Sequence, residues 1–332
     1  MVTILDIAKK ANVNKSTVSK ALNNSGDISF ETASYIRAVA KELGYERRFR
    51  KSSAQKTIGI ITAEIDDAYY SGLVEKIMST AQTQGYICCV LTSNYDPESE
   101  ENAVRYMIDK NVSGVFLGLS IGGQTNRFCD RFKECGIPVV AVAEESDEFE
   151  IDKIWINDKD GVDQAVEHLV SLGHERIAYI GDKYGLKRLE SFKSAMLKRN
   201  LPVLDGLVSL QSERKFECGY RGVKELLLTN QNFTAIFAQY DDIAIGAMRA
   251  LAESGISVPN EVSIIGADDT KYCSYITPTL TSINCNSDFL CQVAFKILEN
   301  KINKKDKSIQ SVLIKPKLVV RESTARVRSF ET

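Results

Sequence analysis

The sequence predicts an α/β chain: an all-α headpiece of three short helices, then two doubly wound parallel α/β lobes. Three observations predict it. Apolar residues recur at helical spacing through positions 3–44, strand and helix patterns alternate from Thr57 onward, and the charge divides at the same boundary.

The charge division is the simplest to read. Residues 1–56 hold eleven Lys and Arg against five Asp and Glu, a net +6; the whole chain is −2, so the rest carries −8. A basic head on an acidic body suits a chain with one end facing a polyanion. A length of 332 residues fits two or three compact units. No apolar run approaches the ~20 residues of a membrane span. The start MVTILDIAKKANV is interrupted at once by Asp6, Lys9 and Lys10, unlike a signal peptide, so a cytoplasmic protein is expected. The eight cysteines form no C-x-x-C and have no His at ligand spacing, so they read as reduced thiols with no metal among them.

The headpiece elements follow in order. Thr3 and Asp6 have capping-box spacing, and Ile4, Ile7, Ala8 and Ala11 then share one helical face. Asn14 begins a second helix with Val18, Ala21 and Leu22 inward, and Asn23-Asn24-Ser25-Gly26 ends it. A third helix runs from about Phe30 to Leu43. This is a helix-turn-helix with a supporting helix, and the second helix exposes Lys15, Ser16 and Lys20. Lysine can donate to guanine edges in a major groove, and short polar side chains such as Thr17 and Ser19 suit phosphates. From these residues alone a small three-helix domain that binds a protein partner remains the alternative.

In the body, strands are expected at 57–63, 86–92, 114–119, 138–142, 176–180, 235–238 and 262–267. Helices are expected at 71–84, 97–110, 125–135, 160–172, 188–199, 217–228 and 241–254. Such β-α alternation predicts parallel sheets covered on both faces, with ligands beyond the carboxyl ends of the strands. The predicted division is a headpiece at 1–45, a basic linker at 46–56 and a body at 57–332. Its lobes fall at about 57–155 and 156–332, with crossovers near the C-terminus allowed.

The string VTILDIAKKANVNKSTVSKALNNSGDISFETASYIRAVAKELGY closely resembles the headpiece of the lactose, galactose and purine repressor (LacI-type) family of bacterial transcriptional regulators. LGHERIAYIG, AIFAQYDDIAIGAMRAL and VPNEVSIIGADD resemble that family's periplasmic-binding-protein-like sensor domain. The resemblance implies a homodimer on a pseudo-palindromic DNA operator, with base contacts from Lys15, Ser16 and Lys20. It also implies repression, modulated by a small-molecule effector between the lobes. Thr3, Asn14, Thr17, Ser19 and Asn23 are the phosphate candidates. The alternative is a non-enzymatic sensor that binds a ligand and a protein rather than DNA.

One segment departs from the family. Its members follow L-G-Y with a P-N…A-R-S-L hinge that inserts a leucine into the minor groove; here the stretch is shorter and lacks both signatures. Arg47, Arg48, Arg50 and Lys51 surround Phe49 instead. They suit phosphates or a narrow minor groove, with Phe49 either a wedge or part of a plain basic tether.

For the effector, the resemblance implies Tyr69 and Tyr70 as stacking residues, Arg188 on hydroxyls or a carboxylate, and Asp268 on ligand donors. Tyr240 stands where many members have Asn, and Arg214 and Phe216 are weaker candidates. An arginine and an aspartate converging on one cleft suit vicinal hydroxyls, hence a sugar or polyol, while a nucleobase or amino acid stays open. Asp241 reads as a helix cap, His168 and His174 as structural. No dinucleotide, P-loop, nucleophile-elbow or zincin motif is present, so neither an enzyme nor a cofactor is expected.

Overall fold

In a computed structural model, the described residues are 2–22, 28–45, 56–118, 125–142, 151–229, 231–306 and 308–327. The headpiece contains α1 (Ile4–Ala11), α2 (Lys15–Leu22) and α3 (Phe30–Glu42). Thr3 and Asp6 form the capping box read from their spacing. Asn12 ends α1 in the left-handed region at φ 53°. Ile7, Val18 and Ile36, one from each helix, are fully buried against one another with Ala11 and Ala21. The inward faces expected from periodicity therefore close one small core.

The first lobe contains β1 (Lys56–Thr62), α4 (Ala68–Thr83), β2 (Tyr86–Thr92), α5 (Pro97–Asp109), β3 (Gly114–Gly118), α6 (Thr125–Glu134), β4 (Val139–Val142) and β5 (Asp152–Ile156). A late strand, β11 (Ser311–Ile314), completes its sheet, whose order is β11-β5-β4-β3-β1-β2. α4 starts three residues before the sequence expectation, because Asp67 accepts from the amides of Tyr69 and Tyr70. Both tyrosines thus stand on a helix's first turn, at the carboxyl end of β1.

The second lobe contains α7 (Asp158–Ser171), β6 (Ile177–Asp182), α8 (Leu186–Lys198), β7 (Val208–Gln211), α9 (Lys215–Leu228), β8 (Ala235–Ala238), α10 (Asp241–Glu253), β9 (Ser263–Ala267) and β10 (Thr281–Asn284). With β12 (Lys317–Val319) its sheet has the order β12-β10-β9-β8-β6-β7. α9 and α10 touch through glycines: a Cβ on Gly219 would lie 1.8 Å from the Ile243 carbonyl oxygen.

After β10 the chain returns to the first lobe. α11 (Ser287–Ile302) packs Leu290, Ala294 and Leu298 into that lobe's core, and β11 pairs in parallel with β5. β12 then goes back to pair antiparallel with β10. The simple boundary at 155/156 therefore needs the allowed crossovers: residues 287–314 belong to the first lobe. Three segments cross between the lobes, at 156–158, 284–287 and 314–317.

The cysteines are free thiols, and Cys218, Cys273, Cys285 and Cys291 are buried. His174 bonds Thr234 (2.9 Å) and Ser263 (3.0 Å), and His168 bonds Thr324 (2.9 Å), which are structural roles. Among the described residues no helix is long and apolar enough to cross a membrane.

Candidate functional site

Two sites take shape, one on the headpiece and one between the lobes. On α2 the buried side is Val18 and Ala21, and Lys15, Ser16 and Lys20 are exposed on the far side, with Ser19 half-buried beside them. Helical spacing of 3.6 residues per turn puts Lys15, Ser16, Ser19 and Lys20 on one arc. An eight-residue helix showing a lysine, a serine and a second lysine on one arc fits the ~12 Å width of a major groove. Asn14 is exposed and Thr17 half-buried at the edges of this face. Thr3, exposed at the start of α1, donates its hydroxyl to Asp6 (2.7 Å) in the capping box. Asn23, Arg47, Arg48, Phe49, Arg50 and Lys51 lie outside the described residues.

The cleft forms where both sheets end. Arg188, 8% exposed, donates to the Gln239 carbonyl (2.6 Å) and to Asp158 (2.6 Å), and Asp268 stands 3.7 Å from its guanidinium. The Tyr240 ring lies under the guanidinium at 5.0 Å. Burial alone would weaken Arg188's hold on its proton, but Asp158 and Asp268 more than offset this. Asp268 is held at φ 101°, a strained backbone for an L-residue, at the position where its carboxylate meets Arg188. Burial first, and neighbouring carboxylates after it, push its carboxyl well up despite Arg188. Tyr69 reaches this group from the first lobe: burial raises its phenol well up, and Cys285, Asp268, Asp158 and Arg188 act on it. Tyr70 stands edge-on to Tyr69 at 5.6 Å between ring centres, and its electrostatic neighbours include Tyr95 and Tyr240. Tyr69, Tyr70, Arg188, Tyr240 and Asp268 are thus brought together.

A second cluster ties the lobes. Arg214 pairs with Glu64 (2.8 Å), donates to the Tyr95 hydroxyl (2.9 Å), and stacks over Tyr95 at 4.4 Å and Tyr184 at 4.9 Å. Lys215, at φ 55°, reaches Glu64 (3.0 Å) and Asp66 (2.6 Å). Glu64, Asp66 and Tyr95 belong to the first lobe, and Tyr184, Arg214 and Lys215 to the second, so this is an ionic and aromatic latch across the cleft. Phe216, the other weaker candidate, is 46% exposed.

Several of these residues escaped the sequence reading. The 181–185 segment, at the carboxyl end of β6, carries Asp182 and Tyr184. Gln239 is fully buried, donates to Asp182 (2.9 Å) and accepts from its amide (3.1 Å), joining the Arg188 and Arg214 clusters. Glu64, Tyr95, Asp158 and Asp182 all sit at or just past strand ends, which was the available signal. Asp241 does not cap its helix. It lies buried under the cleft, accepting from Ser282 (2.5 Å), the Thr270 amide (2.7 Å) and the Cys273 thiol (3.1 Å). Burial pushes its carboxyl up to about 6 against those bonds.

A helical head with an exposed Lys-Ser-Lys face, on a body whose lobes enclose a polar cleft, defines a ligand-responsive DNA-binding regulator. Family models agree: that for bacterial regulatory proteins of the lacI family matches residues 3–48, and that for a periplasmic binding protein-like domain matches residues 166–324. The probable HTH-type transcriptional repressor ExuR of Bacillus subtilis (strain 168) is 32% identical over 336 residues, spanning 98% of this chain and 99% of that protein. The HTH-type transcriptional repressor PurR of Klebsiella pneumoniae (strain 342) is 30% identical over 334 residues, 98% of this chain and 97% of that one. A solved complex of the transcriptional regulator CelR with cellobiose superposes at TM-score 0.73 with 26% identity, over 97% of this chain and 100% of that one. The lac repressor dimer bound to operator and the anti-inducer ONPF does so at 0.73 and 26%, over 98% and 99%. This chain belongs to the lacI family of bacterial regulatory proteins, and it is a DNA-binding transcriptional regulator.

Proposed function

We propose that the chain is a homodimeric repressor that reads a pseudo-palindromic operator with α2 and senses a sugar-type effector in the cleft. Lys15, Ser16 and Lys20 would contact bases, and Thr3, Asn14, Thr17, Ser19 and Asn23 phosphates. Arg47, Arg48, Arg50 and Lys51 would add backbone charge beside the minor groove, next to Phe49. The observation that carries the reading is the convergence of Tyr69 from one lobe with Arg188 and Asp268 from the other. A ligand gripped by both lobes changes their relative position, and a head attached to one lobe follows. Tyr69, Tyr70, Arg188, Tyr240 and Asp268 are the proposed effector residues, with Arg214 closing over them.

A second copy would cover the first lobe's edge. β2 is the outer strand of its sheet, and with α4 it borders a groove of about 730 Å³ that includes Ile65, Val74, Met78 and Ile87. Ile65, Met78 and Ile87 are 54%, 41% and 45% exposed, an apolar set of the kind that marks an interaction surface. The relatives act as repressors, which favours regulation over catalysis for this chain and makes a cytoplasmic location the natural one.

The test is selection of duplexes from a random pool with the full chain. Enrichment of an inverted repeat is expected, each half read by one head. Recovery of unselected sequence at moderate salt would refute the reading.

A further inference from the structure

One chain of polar contacts, buried at its middle, joins the two clusters of the cleft. It begins at Arg188, whose guanidinium donates to the Gln239 carbonyl at 2.6 Å. The Gln239 side chain reaches onward. Its Nε2 donates to Asp182 Oδ1 at 2.9 Å, and its Oε1 accepts from the Asp182 amide at 3.1 Å and the Tyr179 hydroxyl at 2.9 Å. Asp182 Oδ1 also accepts from the Tyr184 amide at 2.9 Å, which leaves Oδ2 toward Arg214, whose Nε stands 3.6 Å away. Past Nε the same guanidinium crosses to the first lobe, to Glu64 at 2.8 Å and the Tyr95 hydroxyl at 2.9 Å. Arg188, Gln239, Asp182 and Arg214 thus run from the proposed effector residues to the opposite lobe.

The middle of this chain is a built seat. Gln239 is fully buried and Asp182 is 1% exposed. Two glycines where β6 runs into α8 make room for the glutamine: a Cβ on Gly181 or Gly185 would lie 2.1 Å from its amide group. A carboxylate needs the amide's N–H and the Asp182 N–H needs its oxygen, so one orientation of the amide serves both. That orientation fixes Asp182 with Oδ1 tied and Oδ2 aimed at Arg214. Neither Asp182 Oδ2 nor Arg214 Nε has a hydrogen bond, and a shift of about 0.7 Å would give them one. A carboxylate on the Nε edge leaves both Nη groups of the fork for the other lobe, and restricts the arginine's rotamers before the latch forms.

We propose that Gln239 and Asp182 are positioning residues that aim Arg214 at Glu64 and tie its grip to Arg188, so that a ligand drawing on Arg188 alters the latch across the cleft. The inference rests on the cleft being the effector site. A displacement at the Gln239 carbonyl moves the side chain of the same residue, Asp182 follows its amide, and Arg214 Nε gains or loses a partner. The ligand then acts on the latch without having to touch it.

Cys285 is a native reporter of opening. It lies on the crossing segment 284–287, is 1% exposed, and its thiol is 3.7 Å from Asp268, so separation of the lobes uncovers it. Cys218 and Cys291, buried in the cores of the second and first lobes, report unfolding instead. Alkylation of the full chain by iodoacetamide, read at each cysteine by mass spectrometry, compares Gln239→Met, Asp182→Asn and Arg188→Lys, each with and without Arg214→Ala. Gln239→Met keeps the volume and removes the amide, Asp182→Asn removes the charge facing Arg214, and Arg188→Lys keeps its charge and loses the fork. Each is expected to speed Cys285 alkylation roughly three- to tenfold, the range of one net hydrogen bond, with Cys218 and Cys291 within about twofold of the native rate. With Arg214→Ala present, Gln239→Met and Asp182→Asn should add nothing, and Arg188→Lys less than it does alone. No acceleration, an acceleration shared by the core cysteines, or equal effects with and without Arg214→Ala would overturn the proposal. The measurement needs no effector, so its failure leaves the cleft's reading as the effector site untouched.

Discussion

Lys15 and Lys20 carry the most specific claim at the scale of single residues. They are exposed on α2, opposite Val18 and Ala21, where Thr17 is half-buried, and the proposed role for them is contact with base edges. Lys15→Ala and Lys20→Ala should each weaken binding to the selected duplex by about 1–3 kcal/mol and relax preference at the bases they face. Fluorescence anisotropy on single-base variants checks this; a uniform weakening across all sequences would demote them to phosphate contacts. Asp242 supplies a second residue-scale prediction. Its carboxyl sits near 7 in the folded state against an ordinary 3.8, so the folded chain holds that proton more tightly than the unfolded one. Its contribution therefore reduces stability as pH rises from about 4 to about 7, and holds level above that. Asp242→Asn should raise the melting temperature at pH 8 and change it little at pH 4. An equal shift at both values would show that the charge is not the cause. The cleft tyrosines and Arg188 were readable from their motifs. Asp158, Gln239 and Glu64 were not, because what gives them meaning is a partner 30 to 150 positions away.

Among the elements, sequence periodicity located most helices and strands, and failed where an element is short or at an edge. β5, β7, β11 and β12 have three to five residues each, too few for a pattern to declare itself. α11 has sixteen residues and was missed; its apolar face is plain in hindsight, but no local signal says that it packs on the lobe the chain had left. The start of α4 turned on a cap, Asp67, which a reading by apolar spacing placed in a loop. The linker is the element that departs most from the family, and its charge gives it a measurable role. Alanine at Arg47, Arg48, Arg50 and Lys51 together should flatten the slope of log K against log salt by about 0.9 for each phosphate no longer neutralised. An unchanged slope would mean that these side chains stay clear of the duplex.

On the proposed reading, the whole molecule works only if two heads are held at a fixed spacing and the cleft can alter it. Charge placed on the apolar groove beside β2, as Met78→Glu with Ile87→Glu, should convert dimer to monomer in light scattering and abolish tight operator binding. A dimer that survives both substitutions places the interface elsewhere. The latch governs the second requirement. Arg214 and Lys215 grip Glu64, Asp66 and Tyr95 across the cleft, so their removal should favour an open body without touching the DNA-facing surface.

Operator affinity of the Arg214→Ala, Lys215→Ala double variant, measured beside the native chain with small-angle scattering on both, tests most directly whether cleft and head are coupled. The expected result is an expanded body and an affinity changed by about fivefold or more, with base preference intact. An expanded body with unaltered affinity would contradict the coupling.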